Sequence, residues 1–168
     1  MDFEIEKTVC FTGHRHIDAE SEGSVRLLVR EALKIYIRRG YNTFIAGGAM
    51  GFDTIAAEEV IRLRSEGNAV RLILALPCRK QTEKWIDGEK VITYDRINGL
   101  ADGIVYTSDS YFSGCMHTRN RFMVDNSSAC IAYCKKSSGG SAYTCNYAEK
   151  KGLELVNLGA VATQLTIY

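Results

Sequence analysis

Several features that mark specialised classes of protein are missing from this sequence. It contains one proline, and it has no internal repeat, low-complexity tract or linker. No apolar run approaches the roughly 20 residues that a membrane helix needs. The acidic start of the chain lacks the apolar core of a signal peptide. We therefore expect a globular, cytoplasmic protein without a membrane partner, and the composition excludes a fibrous or disordered chain.

An excess of charge of one sign is also missing. The chain has 21 lysines and arginines against 20 aspartates and glutamates, for a net charge of +1. Proteins that bind the nucleic-acid backbone usually carry a basic excess or a basic stripe. The near-neutral balance therefore argues against nucleic acid as a partner, although it is compatible with a single basic pocket.

Cysteine and histidine do not occur at the spacings that bind metal. There is no CxxC pair and no histidine at zinc-finger spacing, and the six cysteines are scattered: Cys10, Cys78, Cys115, Cys130, Cys134 and Cys145. Scattered cysteines of this kind are typical of reduced thiols in a cytosolic protein. We therefore expect no metal site and no cofactor.

The chain does show an alternation of strand and helix patterns over its 168 residues, a length typical of one domain. Apolar runs predict strands at 7–12, 43–46, 70–76, 104–107, 129–133 and 153–157. Helical spacing predicts helices at 24–39, 55–64, 81–85, 94–100, 116–127 and 144–151. Strands that alternate with helices form βαβ units, so we expect an α/β fold with a mostly parallel sheet.

The sequence is organised around a glycine loop between the second predicted strand and the helix that follows it. Gly47, Gly48 and Gly51 fall within five positions, with Met50 among them and Asp53 in the first turn of the helix. The backbone amides of such a loop can face one way, towards an anion at the positive end of the helix dipole. The loop therefore predicts a site for a nucleotide or a sugar phosphate.

Two further loops follow predicted strands. Thr12-Gly13-His14-Arg15 comes after the first strand, and the glycine pair Gly139-Gly140 comes between the fifth strand and a helix. Open parallel sheets bind ligands at the carboxyl ends of their strands, so both loops are candidate ligand contacts. The alternatives are a surface turn with basic residues for the first loop, and a turn that needs a positive φ for the second.

The predicted helix at 116–127 carries a third candidate. Arg119 and Met123 are four residues apart and share one face, while Arg121 and Asp125 share another. The alternative assigns Met123 to the core and the arginines to the surface. The predicted fold would bring this helix to the same edge of the sheet, which favours a role in ligand binding.

These segments together resemble the SLOG superfamily of Rossmann-like domains, and most closely its YpsA-like branch. The matching pieces occur in the same order over nearly the whole chain: 10–15, 47–53, Gln81 with Trp85, Arg119-Asn120 with Met123-Val124-Asp125, and Gly139-Gly140 with Thr144. The resemblance implies a single domain over residues 1–168. It also implies a Rossmann-like three-layer sandwich with its ligand cleft at the carboxyl ends of the strands.

The resemblance further implies how a small, nucleotide-like ligand would be held. The glycine loop would face a phosphate, Arg119 would reach the phosphate or the glycosidic bond, and the second glycine pair would close the far side. The expected ligand-binding residues are Thr12, Gly13, His14, Arg15, Gly47, Gly48, Met50, Gly51, Asp53, Arg119, Asn120, Gly139, Gly140 and Thr144. Relatives of this type often pair through a helix, so a homo-oligomer is a further expectation.

The resemblance leaves turnover open. The superfamily includes LOG-type phosphoribohydrolases, which cleave the base from nucleoside monophosphates, and DprA-like proteins, which act on single-stranded DNA. Residues 116–123 are similar to the hydrolase segment MHxRKxxM, but the glutamate of the hydrolase motif PGGxGTxxE is missing after Gly139-Gly140. Cleavage of the N-glycosidic bond uses a carboxylate, so Asp53 and Asp125 are the catalytic candidates, together with Arg119.

We therefore expect a nucleotide-binding domain that senses its ligand. Hydrolysis of a nucleoside monophosphate or a related nucleotide is the alternative, and a module that binds single-stranded DNA is the third hypothesis.

Overall fold

The computed structural model describes the backbone of residues 1–2 and 4–165 and the side chains of these residues up to 161. After a short 3₁₀ turn at Ile5–Lys7, six strands and six helices alternate within this part of the chain. The strands are β1 (Thr8–Gly13), β2 (Thr43–Ala46), β3 (Arg71–Leu76), β4 (Gly103–Tyr106), β5 (Ala129–Tyr133) and β6 (Glu154–Asn157). The helices are α1 (Ala19–Arg38), α2 (Phe52–Ser65), α3 (Gly88–Leu100), α4 (Cys115–Asp125), α5 (Gly140–Lys150) and α6 (Leu158–Leu165).

The strands form one parallel sheet in the order β4-β3-β2-β1-β5-β6. The chain winds outward from β1 to β4, then returns to place β5 on the other side of β1. The direction of winding therefore reverses between β1 and β5, which is where open α/β sheets hold their ligands. The expected α/β, Rossmann-like fold with a parallel sheet is confirmed.

Helices cover both faces of the sheet and make the three layers. Val9 and Phe11 of β1 belong to the core that α1, α2, α3 and α6 cover, whereas Cys10 between them belongs to the core that α4 and α5 cover. Successive side chains of a strand point to opposite faces, and both faces are buried at the centre of the sheet, so strands such as β2, β3 and β5 are apolar at nearly every position. No helix within the described residues is long and apolar enough to cross a membrane.

Several elements differ from the sequence-based prediction. Helix α1 begins at Ala19 instead of Ser24, and α6 was not predicted. The predicted helix at 81–85 is wrong, because this segment forms successive turns with isolated bonds such as that from the N–H of Trp85 to the carbonyl of Thr82 at 2.9 Å. Asp87 then caps α3 by accepting from the N–H of Glu89 at 3.0 Å, so this helix begins earlier than expected.

Candidate functional site

A cleft of about 660 Å³ opens at the carboxyl edge of the sheet, where β1 and β5 are neighbours. We call it the switch-point cleft. Its walls are the loop after β1, the start of α2, the first half of α4, and the loop that leads from β5 into α5. The lining residues are Phe11, Thr12, Gly13, His14, Arg15, Ala49, Asp53, Met116, His117, Arg119, Asn120, Lys136, Ser138, Gly139, Gly140 and Ser141. Its volume lies within the range of small-molecule sites.

The loop after β1 is held directly on the start of α2. A Cβ atom on Gly13 would lie 2.5 Å from the ring of Phe52, so a glycine is needed for this close approach. The N–H of Phe52 donates to the carbonyl of His14 at 3.0 Å. Gly51 has a φ of 76°, and a Cβ atom there would meet the backbone of His14 and Arg15. Packing therefore fixes the backbone that carries His14 and Arg15.

His14 connects two walls of the cleft. Its Nε2 accepts from the backbone N–H of Lys135 at 2.8 Å, and its ring lies edge-on to Tyr133 at 5.9 Å. Burial, together with the charges of Lys136 and Lys135, lowers the pKa of His14, which favours the neutral imidazole. Because Nε2 accepts a hydrogen bond, the proton of the neutral ring lies on Nδ1. His14 therefore ties the loop after β1 to the loop after β5, and Nδ1 is the ring nitrogen left for a ligand.

The glycine loop contributes Ala49 and Asp53 to the cleft wall, whereas its three glycines are not among the described lining residues. Gly48, with a φ of 69°, packs against Leu76, and its carbonyl accepts from the side chain of Gln81 at 3.3 Å. These glycines allow close packing around the loop. Their predicted contact with a phosphate stays a prediction.

Gly47 lies between two buried ionisable side chains. Arg119 is 3% exposed and Asp53 is 7% exposed. A Cβ atom on Gly47 would lie 2.6 Å from Nη1 of Arg119 and 2.7 Å from Oδ2 of Asp53. Arg119 donates from Nη1 to the carbonyl of Gly47 and from Nε to Oδ1 of Asn120 at 2.7 Å. The absence of a side chain at Gly47 is therefore what allows Arg119 and Asp53 both to lie close to its backbone at the cleft.

The electrostatics of this pair follow from burial. Burial raises the pKa of Asp53, and the charge of Arg119 and the amide of Ala49 oppose the shift. Burial likewise lowers the pKa of Arg119, and Asp53 opposes that shift. The N–H of Ala49 donates to Oδ2 of Asp53 at 3.3 Å. The positive end of α2 is therefore partly compensated by a carboxylate of the protein itself.

The loop from β5 into α5 brings a second helix start to the cleft. Among the described lining residues, this loop contributes no carboxylate that could compensate the positive end of the helix. Gly139, Gly140 and Ser141 begin α5 and face the cleft, with Lys136 and Ser138 beside them. The backbone amides of a helix start, a hydroxyl and an ammonium group are typical ligands of a phosphate. Lys136 was missed in the sequence, although its place just before a glycine pair was the available signal.

The structure brings most of the predicted residues together. Thr12, Gly13, His14, Arg15, Asp53, Arg119, Asn120, Gly139 and Gly140 all line the switch-point cleft. Thr144 is buried and donates its hydroxyl to the carbonyl of Gly140 at 2.9 Å, so it supports the start of α5. Met50 lines two neighbouring cavities.

Asp125 is not brought to the cleft. It ends α4, at the opposite end of the helix from the cleft-lining residues, and its Oδ1 accepts from the hydroxyl of Tyr147 at 2.8 Å. Within the described part of the chain, no group of three or more histidine, cysteine, aspartate or glutamate side chains is placed to hold a metal ion.

Comparison with known proteins agrees with this geometry. The profile of the YspA SLOG family (YpsA) matches residues 9–157. The SPbeta prophage-derived protein YoqJ of Bacillus subtilis strain 168 is 33% identical over 119 residues, which are 64% of this chain and 69% of that protein.

Two solved structures share the fold. DNA processing protein A from Helicobacter pylori, described as having a unique single-stranded DNA binding mode, has a TM-score of 0.62 at 22% identity, over 90% of this chain and 65% of that one. The corresponding protein from Streptococcus pneumoniae has a TM-score of 0.62 at 16% identity, over 89% of this chain and 49% of that one. The chain thus spans less than two thirds of either protein.

At this level of identity, the likeness to these DNA-processing proteins shows the fold alone. The family profile covers most of the chain, including all four walls of the cleft, and confirms the resemblance seen in the sequence. The chain belongs to the YspA SLOG family.

Proposed function

We propose that the switch-point cleft binds a nucleotide or a nucleotide derivative, and that the domain senses this ligand without turning it over. The observation that carries the proposal is the start of α5, where Gly139, Gly140 and Ser141 face the cleft beside Lys136 and Ser138. This group has the composition of a phosphate site. The wall opposite has groups suited to the rest of a nucleotide.

The end of β1 and helix α4 supply neutral polar and apolar groups beside the charged side chains of Arg15 and Arg119. Asn120 uses its Oδ1 to accept from Arg119, which leaves its amide N–H groups to donate to a ribose hydroxyl. Thr12 offers a hydroxyl, and Phe11 and Met116 offer apolar contact. A cleft with a phosphate group at one side and this mixed surface at the other fits a nucleoside phosphate better than inorganic phosphate or an apolar ligand.

The arrangement of carboxylates supports binding without turnover. Among the described residues that line the cleft, Asp53 is the one carboxylate. Its Oδ2 already accepts from the N–H of Ala49, and the side chain is buried beside Arg119. A carboxylate that stabilises an oxocarbenium-like state must face the sugar, whereas this one is engaged with its own loop. Hydrolysis by a protonated Asp53, whose pKa burial raises, is the alternative.

Calorimetric titration with a panel of nucleoside monophosphates tests the proposal, with adenosine monophosphate as the reference. We expect Lys136→Ala to weaken binding about tenfold, as the loss of a charge-assisted hydrogen bond does. Lys135→Ala is the matched control. It removes the same charge one residue away, where the ammonium lies 5.5 Å from the ring of Tyr133 and does not line the cleft.

Chromatography of the same mixtures distinguishes the sensor from the hydrolase. We expect the nucleotide to be recovered intact after long incubation. Release of free base by the wild type, abolished in Asp53→Asn, would establish the hydrolase instead. If none of the nucleotides in the panel binds, the proposed function is wrong.

A further inference from the structure

A second cavity, of about 770 Å³, adjoins the switch-point cleft. We call it the loop chamber, because the segments that follow β3 and β4 form most of its wall. Arg15 and Met116 line both cavities. These two side chains therefore stand at a common boundary, and a ligand that passes Arg15 can reach both cavities.

The loop chamber contains aromatic surface suited to a planar ring. Trp85 and Tyr111 line it together with Met50. The indole of Trp85 is held edge-on to Tyr94, with ring centroids 5.4 Å apart, and Tyr111 is 68% exposed. Aromatic side chains in a concave site are the usual stacking partners of nucleic-acid bases.

The same chamber is positively charged. Arg79, Lys80 and Lys84 line it in addition to Arg15, against two carboxylates, Glu83 and Asp109. The ammonium of Lys84 lies 5.5 Å from the ring centroid of Tyr111, so positive charge and stacking surface are adjacent. An aromatic group that carries a phosphate matches this combination better than a neutral ring does.

Arg15 is placed to hold a phosphate between the two cavities. Its backbone packs against Gly51, and the carbonyl of the preceding His14 accepts from the N–H of Phe52 at 3.0 Å. Its side chain is exposed, and it makes no hydrogen bond or ion pair with the part of the chain that the structure describes. The guanidinium can therefore bind phosphate oxygens in the bidentate manner that this group favours.

We infer that the two cavities form one site for a free dinucleotide, an inference that rests on the proposed function. One nucleotide occupies the switch-point cleft with its own phosphate at the start of α5, the phosphate that links it to the second nucleotide meets Arg15, and the second base stacks against Trp85 and Tyr111. Either cavity alone has the volume of a small-molecule site, so a mononucleotide leaves the other one unfilled. With a net charge of +1, the chain lacks the basic excess that binding of a long strand usually requires, which favours the free dinucleotide.

Trp85 makes the inference directly measurable, because it is the one tryptophan of the chain. Its fluorescence reports on the loop chamber, while calorimetry reports on the whole site. Adenosine monophosphate and the 5′-phosphorylated dinucleotide pApA are the matched probes, since the second keeps the whole of the first and adds one linking phosphate and one adenosine. We expect pApA to bind about tenfold more tightly than the monophosphate, the gain typical of one stacked base, and to change the Trp85 emission.

Two substitutions in the loop after β4 distinguish a contact inside the loop chamber from a general effect of the loop surface. Tyr111→Ala should remove the affinity advantage of the dinucleotide and leave the affinity for adenosine monophosphate unchanged. Phe112→Ala is the control, because Phe112 is also exposed but does not line the chamber, and it should change neither affinity. Both side chains lie on the surface, so the core is unaffected.

Each contrary result has a distinct meaning. Equal affinity for the two probes, with no change in Trp85 emission, overturns the dinucleotide site and leaves the proposed function in place. Binding of neither probe overturns both. If oligodeoxyadenylates bind more tightly as their length increases beyond two nucleotides, the ligand is a single strand, and the inference of a free dinucleotide is wrong.

Discussion

Gly47→Ala is the substitution whose consequence the structure defines most sharply. The new Cβ atom would lie 2.6 Å from Nη1 of Arg119, 2.7 Å from Oδ2 of Asp53 and 2.8 Å from Cζ of Arg119. None of these atoms can withdraw easily, because both side chains are buried and Arg119 is bonded to the carbonyl of Gly47 itself. The new methyl group must therefore displace the Arg119 guanidinium, the Asp53 carboxylate or both.

The magnitude follows from two contributions. Overpacking of a dense interior costs about 1–3 kcal/mol, and a weakened hydrogen bond to a charged group costs about 1.5–3 kcal/mol when it is lost completely. With partial relaxation, we expect the free energy of unfolding to fall by about 2 kcal/mol. For a chain of this size the melting temperature should then fall by about 4–8 °C.

Gly99→Ala is the control for the same chemical change. Gly99 lies in α3, and a Cβ atom there meets nothing within 4 Å. Since alanine favours the helix over glycine by about 0.5–1 kcal/mol, this variant should melt at the same or a higher temperature. Thermal unfolding followed by circular dichroism compares the two. If Gly47→Ala has the same melting temperature as Gly99→Ala and binds nucleotide with the affinity of the wild type, the role given to Gly47 is refuted.

Two further predictions concern titration and thiol chemistry. Bonds from Arg39 at 2.7 and 2.9 Å and from the hydroxyl of Tyr36 lower the pKa of Glu154 from 4.5 to about 2. The stabilisation, about 1 kcal/mol for this half-exposed pair, is therefore present above pH 4.5 and is lost as the pH falls towards 2. Urea unfolding of Glu154→Gln should lack this acid-dependent loss, and an unchanged pH profile would contradict the assignment. All six cysteines are buried, and burial, with Cys134 next to it, raises the pKa of Cys145 to about 12. A colorimetric thiol reagent should react with the native protein far more slowly than with the denatured one, and equal rates would show that these cysteines are accessible.

The sequence was sufficient to predict the sheet and the edge at which the site lies. Strands such as β3 are apolar at nearly every position because both faces are covered, and the glycine loops mark the ends of β2 and β5. The segment at 81–85 was assigned wrongly because its polar and aromatic spacing is compatible with one helical turn. Asp87 instead starts the helix further along the chain, and a cap of this kind competes with the helical pattern before it.

The roles of individual residues in the cleft were harder to predict. A glycine before a helix is equally consistent with contact to a phosphate and with space for a neighbouring side chain. Gly47 provides space for Arg119, a residue far away in the sequence. The sequence likewise placed His14 in a ligand-facing loop, but its bond to the backbone of Lys135 depends on the pairing of β1 with β5. Such contacts are set by tertiary packing.

The position of β1 between β2 and β5 has a consequence for how the protein folds. β1 pairs with β2 after one short crossover, but its pairing with β5 must wait until most of the chain has been synthesised. Closing so long a loop carries the larger entropic cost, so this seam is expected to form late. A ligand that contacts the loops after β1 and after β5 bridges that seam. Its binding should therefore slow the separation of the two halves of the sheet, and the half-life of the native state becomes a measure of ligand occupancy.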